Sequence, residues 1–176
     1  MNIFVVNGAP GSGKTSFESL CKIEGSERGK IISIYSTIDF VKEVAKTCGW
    51  DGSKTPRNRK FLSDLKALLT EWDDVPLRET LTWLDSLQYR LLQYDVQLSA
   101  SVVFIDCREP KEIKRLCEAV GGRSLLIRRT DAEQVKVANT SDDNVLDYQY
   151  DIVIDNNGDL EDLRLRAIEF IEKDLA

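Results

Sequence analysis

The eight residues Gly8-Ala9-Pro10-Gly11-Ser12-Gly13-Lys14-Thr15 constrain this chain more than any other stretch, because they fit the phosphate-binding pattern G-x-x-x-x-G-K-[ST] without a mismatch. An apolar run, Ile3-Phe4-Val5-Val6, precedes them, and Phe17, Leu20 and Cys21 recur at helical spacing behind them. Strand, loop and helix is the context the pattern requires. Glycines at 8, 11 and 13 let the backbone turn tightly and present a row of N–H groups to phosphate oxygens, with the positive end of the helix dipole behind them. In that arrangement Lys14 reaches the β- and γ-phosphates of ATP and Thr15 offers its hydroxyl to Mg2+. Ala9, Ser12 and Ser16 complete the nucleotide-binding set.

At 176 residues the chain has the length of one domain with a full core. Apolar residues make up 42% and charged residues 31%, the composition of an ordinary soluble globular protein. The opening apolar run ends at Asn7 and carries no basic leader, so the expectation is a cytoplasmic protein with no membrane span. A net charge of −6 and a pI near 4.9 disfavour a general nucleic-acid surface. Cys21, Cys48, Cys107 and Cys117 form no C-x-x-C pair and histidine is absent, so neither a zinc centre nor Ser-His or Cys-His catalysis is expected. The four thiols read as buried and free.

The rest of the chain alternates strand and helix signals. Gly25 to Gly29 reads as a turn and Lys30 to Tyr35 as a second strand; Ser36-Thr37-Ile38-Asp39 then starts a helix with Ile38, Val41, Val44, Ala45 and Cys48 on one face, ended by Gly49. Arg57-Asn58-Arg59-Lys60 stands at the start of a periodic helix carrying Phe61, Leu62, Leu65, Leu68, Leu69 and Trp72. Basic residues there oppose the helix dipole unless an anion answers them. After a break at Asp73 to Pro76, Leu77, Leu81, Leu84, Leu91 and Leu98 continue an apolar stripe, with Trp83, Tyr89 and Tyr94 as core or edge aromatics. Ser101 to Asp106 and Ser124 to Ile127 read as buried strands, separated by a helix from Pro110 to Gly121. A polar span from Thr130 to Tyr148 has the length of a lid. Tyr150 to Ile154 is the fifth strand, Asn156-Asn157-Gly158 a turn, and Leu160, Leu163, Ala167, Phe170 and Ile171 mark a final helix. The expectation is an α/β fold of three layers: a five-stranded parallel sheet flanked by helices, in one domain over 1–176, with a helical part at about 36–98 and a lid at about 128–148. Ligands of such sheets sit at the carboxyl ends of the strands, which points to residues 7–15, 35–39, 106–109, 128–129 and 155–158.

Val102 to Ile113, containing Asp106-Cys107-Arg108-Glu109-Pro110, followed by Gly121-Gly122 and by Leu126-Ile127-Arg128-Arg129, resembles the phage-type deoxynucleoside monophosphate kinases. The tail from Asp151 to Leu163 is similar to their closing strand, turn and helix. With the phosphate loop the resemblance covers both ends of the chain; residues 40–100 match loosely. It implies the nucleoside-monophosphate-kinase fold, with the third strand beside the first and Asp106 in the Walker B position, holding Mg2+ through its waters. The family often carries histidine before the last strand, where this chain has Asn139-Thr140-Ser141-Asp142.

The expected chemistry is transfer of the γ-phosphoryl of ATP to a deoxynucleoside monophosphate. Such an acceptor is already ionised at neutral pH and needs no histidine base. Lys14, Arg108, Arg128 and Arg129 are the candidate catalytic cations, and Arg57, Arg59 and Arg108 the candidate grips on the acceptor phosphate. Arg129 can alternatively pair with Asp131. Ser36, Thr37 and Asp39 are placed either to touch the acceptor or to cap a helix, and Asn157 either to border adenine or only to make a turn. Two alternatives stay open: a kinase of the same fold for another small phosphorylated or hydroxylated acceptor, such as phosphomevalonate, where a hydroxyl acceptor would take Asp39 as base, and a non-catalytic nucleotide sensor. The absence of N-K-x-D disfavours a GTPase. The partners expected are small-molecule nucleotides, and the sequence leaves a homodimer open.

Overall fold

The structure, a computed structural model, describes residues 1–133 and 145–174. Its strands are β1 (Asn2–Asn7), β2 (Ile31–Ser36), β3 (Ser101–Asp106), β4 (Arg123–Arg128) and β5 (Ile152–Asp155). They form one five-stranded parallel sheet in the order β2-β3-β1-β4-β5. β3 therefore lies beside β1, and the register pairs Val6 with Asp106. The helices are α1 (Lys14–Glu27), α2 (Asp39–Thr47), α3 (Pro56–Asp73), α4 (Val75–Gln93), α5 (Pro110–Val120), the four-residue α6 (Thr130–Glu133) and α7 (Leu160–Asp174). No helix among the described residues is long and apolar enough to cross a membrane.

Strand periodicity decides how the layers stack. Alternate residues of a strand point to opposite faces, so a strand apolar at every position must be covered on both sides. Phe4 and Val6 of β1, Val102 and Phe104 of β3, and Leu125 and Ile127 of β4 bury one face against Phe17 and Cys21 of α1 and Leu163, Ala167 and Phe170 of α7. Val5, Val103 and Ile105 are fully buried on the opposite face, the side covered by α5 through Ile113 and Leu116. The first face is centred on four phenylalanines, Phe4, Phe17, Phe104 and Phe170, with ring centroids 5.0 to 6.3 Å apart in tilted and edge-on geometries. Glu24, buried on α1, joins that helix to α7 through Arg164, whose Nε lies 2.6 Å from its carboxylate.

The chain divides into two compact units, Met1–Ile34 with Leu91–Ala176, and Tyr35–Arg90. The first carries the sheet apart from Tyr35 and Ser36 at the end of β2. The second is helical: Val41, Ala45, Val75, Leu84 and Leu87 are buried, and Tyr35 stacks on Trp83 at 4.6 Å between ring centroids and 20° between planes.

Several local expectations are corrected. The turn expected at Gly25 to Gly29 is shorter, because α1 runs on to Glu27. Gly25 is buried and serves packing: a Cβ there would meet Ile32 Cδ1 at 2.8 Å. Arg57 to Lys60 stand in the first turn of α3, as expected of a helix start, since Thr55 caps α3 and Pro56 takes its first position. The apolar stripe of α3 is not core; no residue of α3 is buried, and Leu68 and Trp72 are 63% and 81% exposed. Cys21 and Cys107 are buried, Cys117 is half-buried and Cys48 is exposed, because Cys48 falls just past the end of α2. Tyr89 and Tyr94 are exposed as well. The lid expectation falls partly on residues 134–144, including Asn139 to Asp142, which lie outside the described residues.

Phe170→Ala tests the sheet core. Removing the ring that three others meet is expected to cost about 3–5 kcal/mol in urea unfolding, and a loss below about 1 kcal/mol would contradict the packing described.

Candidate functional site

The phosphate loop is closed by its own backbone. Ser12 N–H donates to the Ala9 carbonyl at 2.9 Å, and Gly13, with φ of 93°, is the N-cap residue of α1. That φ lies in the left-handed region that favours glycine. The helix end has no side-chain cap, so the first-turn N–H groups of α1 have no intrahelical partner and face outward with the dipole. Gly8 is required by proximity: a Cβ there would come within 2.5 Å of Ser12 Oγ and 2.7 Å of the Ile127 carbonyl. Ala9 is half-buried, Gly11, Thr15 and Ser16 are exposed, and Ser12 is buried.

Two buried asparagines hold this loop from below. Asn7 accepts from the Gly8 N–H at 2.8 Å and donates through Nδ2 to the Arg108 carbonyl at 3.1 Å and to the Tyr150 hydroxyl at 2.8 Å. Burial pushes the Tyr150 phenol up to about 12, so it keeps its proton and donates to the Val145 carbonyl at 2.9 Å. Asn156 donates through Nδ2 to the Ser12 carbonyl at 2.7 Å, while its own N–H reaches the Arg128 carbonyl, also at 2.7 Å. The ends of β1, β3, β4 and β5 thus meet at the loop. Asn157 is exposed, and its Oδ1 accepts from the Thr130 N–H at 2.9 Å.

The charges gather beside the same loop. Lys14 Nζ lies 2.5 Å from Asp106 Oδ1 and 3.9 Å from Glu18 Oε1. Asp106 and Glu18 share a hydrogen bond. Glu18 is almost fully buried, and burial, then the charge of Asp106, raises its carboxyl from 4.5 to about 8. The donors near the head of α1 are the Thr15 hydroxyl and the Asp106 carboxylate, together with the Glu18 oxygen Oε1, which is buried without a hydrogen-bond partner. Hard oxygen donors with an unfilled acceptor suit Mg2+, so the residues present fit the cation that the motif implies. Cys107, Glu109 and Glu112 also bring ligand atoms within 4.8 Å of one another, and there the Cys107 thiol hydrogen-bonds Glu112 at 3.6 Å.

The arginines divide into two groups. Arg108 and Arg128 have exposed side chains, and their carbonyls anchor Asn7 and Asn156. Arg129, half-buried just past β4, has no ion-pair partner among the described residues, so the alternative pairing with Asp131 is not formed. In the helical unit, Arg57 and Arg59 are exposed in the first turn of α3 and are likewise without an ion-pair partner there. Thr37 is buried, and Ser36 N–H donates to Asp39 Oδ2 at 3.1 Å. The other Asp39 oxygen takes Lys42 Nζ at 2.8 Å, so Asp39 serves its own helix start. Tyr35 is pushed up to about 12 by burial and by the nearby carboxylates of Asp39, Glu43 and Glu79.

Sequence reasoning passes over Glu18 and Tyr150, and it places Asn7 and Asn156 at the crevice without giving them the role of holding the loop. Two signals were available: Asn7 is a polar residue ending an apolar strand, and Glu18 lies between Phe17 and Cys21 on the inward face of α1.

The Glu18 carboxyl binds its proton more tightly in the folded chain than in the unfolded one. Its contribution to stability is therefore full below about pH 4.5 and is lost as pH rises through about 8. Urea unfolding of nucleotide- and metal-free protein should show stability falling across that window, and Glu18→Gln should flatten the fall. Parallel wild-type and variant curves would contradict the assignment.

No protein-family model and no curated protein matches the chain. Among solved structures it is similar to an APS kinase mutant from Mycobacterium tuberculosis, at 14% identity over 98% of this chain and 97% of that one, with a TM-score of 0.43. It is also similar to shikimate kinase from Aquifex aeolicus, at 15% identity over 98% and 99%, with a TM-score of 0.45. The architecture itself rests on the strand order and on the loop between β1 and α1.

Proposed function

We propose that this chain is an ATP- and Mg2+-dependent phosphotransferase whose acceptor is a (deoxy)nucleoside monophosphate. The observation that carries the reading is Lys14, at the uncapped head of α1, held 2.5 Å from Asp106 at the carboxyl end of the adjoining strand. A cation and a carboxylate so placed beside outward-facing N–H groups suit a triphosphate and its metal. Bound Mg2+ would neutralise charge on the phosphate oxygens, with Thr15 and Asp106 as its protein donors. Loop N–H groups and Lys14 would hold the β- and γ-phosphates in line. Arg129, unpaired in the described residues, is available for the charge that develops on the transferring group.

Two observations support a phosphorylated acceptor over a hydroxyl one. There is no histidine to serve as base. Asp39, the base that a hydroxyl acceptor would require, has its two oxygens engaged by Lys42 and the Ser36 N–H. A phosphate monoester, which loses its second proton near about pH 6, brings its own nucleophilic oxygen. The bond from the γ-phosphorus to the bridging oxygen of ADP breaks as the bond to the acceptor oxygen forms, and no proton need be removed. Within the helical unit, Arg57 and Arg59 are cations available to such an acceptor.

The test is an assay with ATP, Mg2+ and each nucleoside and deoxynucleoside monophosphate, with phosphomevalonate as a further acceptor. Diphosphate should form with wild type and not with Lys14→Ala. Arg129→Ala should lower kcat by about 10³-fold or more with little change in ATP binding. ATP bound with no acceptor phosphorylated would instead support a nucleotide sensor.

A further inference from the structure

Glu18 has no task in the reading above, yet its position is costly. It follows Lys14 by one helical turn, on the face of α1 that buries Phe17 and Cys21. Its side chain is 3% exposed, and Oε1 has no hydrogen-bond partner. Among the described residues the one cation that pairs with it is Lys14, at 3.9 Å, and that ammonium stands much closer to Asp106. Burying a carboxyl with an acceptor left empty is unfavourable, and an aliphatic residue at the same place would avoid that cost. Packing alone therefore does not account for a glutamate here.

The balance of charge changes when nucleotide arrives. In this structure Lys14 serves both Asp106 and Glu18. If the phosphates draw Lys14 away, Glu18 loses its cation while still sharing a hydrogen bond with a second carboxyl group. A divalent cation restores the balance, and Thr15 stands three residues before Glu18 on the same side of α1. We infer that Glu18 is a third protein oxygen donor, beside Thr15 and Asp106, to the cation that accompanies the nucleotide, so that nucleotide binds only together with its metal. This inference rests on the nucleotide-binding reading of the loop and goes beyond it, since that reading asks nothing of Glu18.

The experiment reads binding rather than turnover. Affinity for a fluorescent ATP analogue is measured with Mg2+ and with EDTA, and Mn2+ bound to the protein–ADP complex is counted by electron paramagnetic resonance. Wild type should lose about 100-fold or more in nucleotide affinity when the cation is removed, and Glu18→Gln should weaken Mn2+ in the ternary complex by about 10- to 100-fold. Glu18→Asp, which keeps the charge but withdraws the oxygen, gives the same loss of Mn2+ and replaces the glutamine variant if that one does not fold. Equal nucleotide affinity of wild type with and without a divalent cation overturns the inference, as does unchanged Mn2+ affinity in a folded variant; both leave the nucleotide site standing. Failure of wild type to bind nucleotide under any condition removes the underlying reading as well.

Discussion

The register between β1 and β3 is the constraint on which the site depends. Pairing Val6 with Asp106 brings the end of β3 level with the start of the phosphate loop, and the loop's own length then returns Lys14 to within 2.5 Å of that carboxylate. Side chains reverse face at each step along a strand, so a slip of one residue would turn Asp106 to the face of Val103 and Ile105, the side covered by α5. The register is set by burial. Both faces of β1 and β3 are apolar and covered, the condition under which a strand has one acceptable alignment.

The loop above this pairing is rigid for reasons that lie beneath it. An exposed turn rich in glycine would lose much entropy on ordering around a ligand. Here that ordering is done during folding, by Asn7 at one end of the loop and Asn156 at its tip, each buried and each using its amide to hold a carbonyl of another element. With the Ser12 carbonyl taken by Asn156, the peptide that follows directs its N–H away from the protein interior. Preorganised donors of this kind stabilise charge without the reorganisation that water requires. The requirement for glycine at position 13 follows from the same contact, since a Cβ there would collide with Asn156.

Much of this was legible in the sequence, and the parts that were not share a cause. The strand, loop and helix around Gly8 to Thr15 were legible because motif, apolar run and periodicity agree over one continuous stretch. Gly49 and Gly121 were legible as helix ends because each takes a left-handed φ, and Pro110 as a helix start. Glu18 was not, because its significance comes from Asp106, far along the chain. Asn156 and Asn157 are neighbours in one Asn-Asn-Gly turn, and only the pairing of Arg128 with Asp155 decides which of them enters the loop and which faces solvent. Gly25 has the look of a turn residue and is instead a packing residue under Ile32. The stripe of α3 has helical periodicity, and periodicity predicts the helix without saying what covers it.

The most direct measurement is a crystal structure of the protein bound to Mg2+ and a non-hydrolysable ATP analogue. The account predicts that Lys14 Nζ leaves Asp106, opening the 2.5 Å separation, to reach the β- and γ-phosphates, which lie on the N–H groups at the head of α1. Lys14 still paired with Asp106 at saturating nucleotide, with the phosphates bound elsewhere, would contradict it.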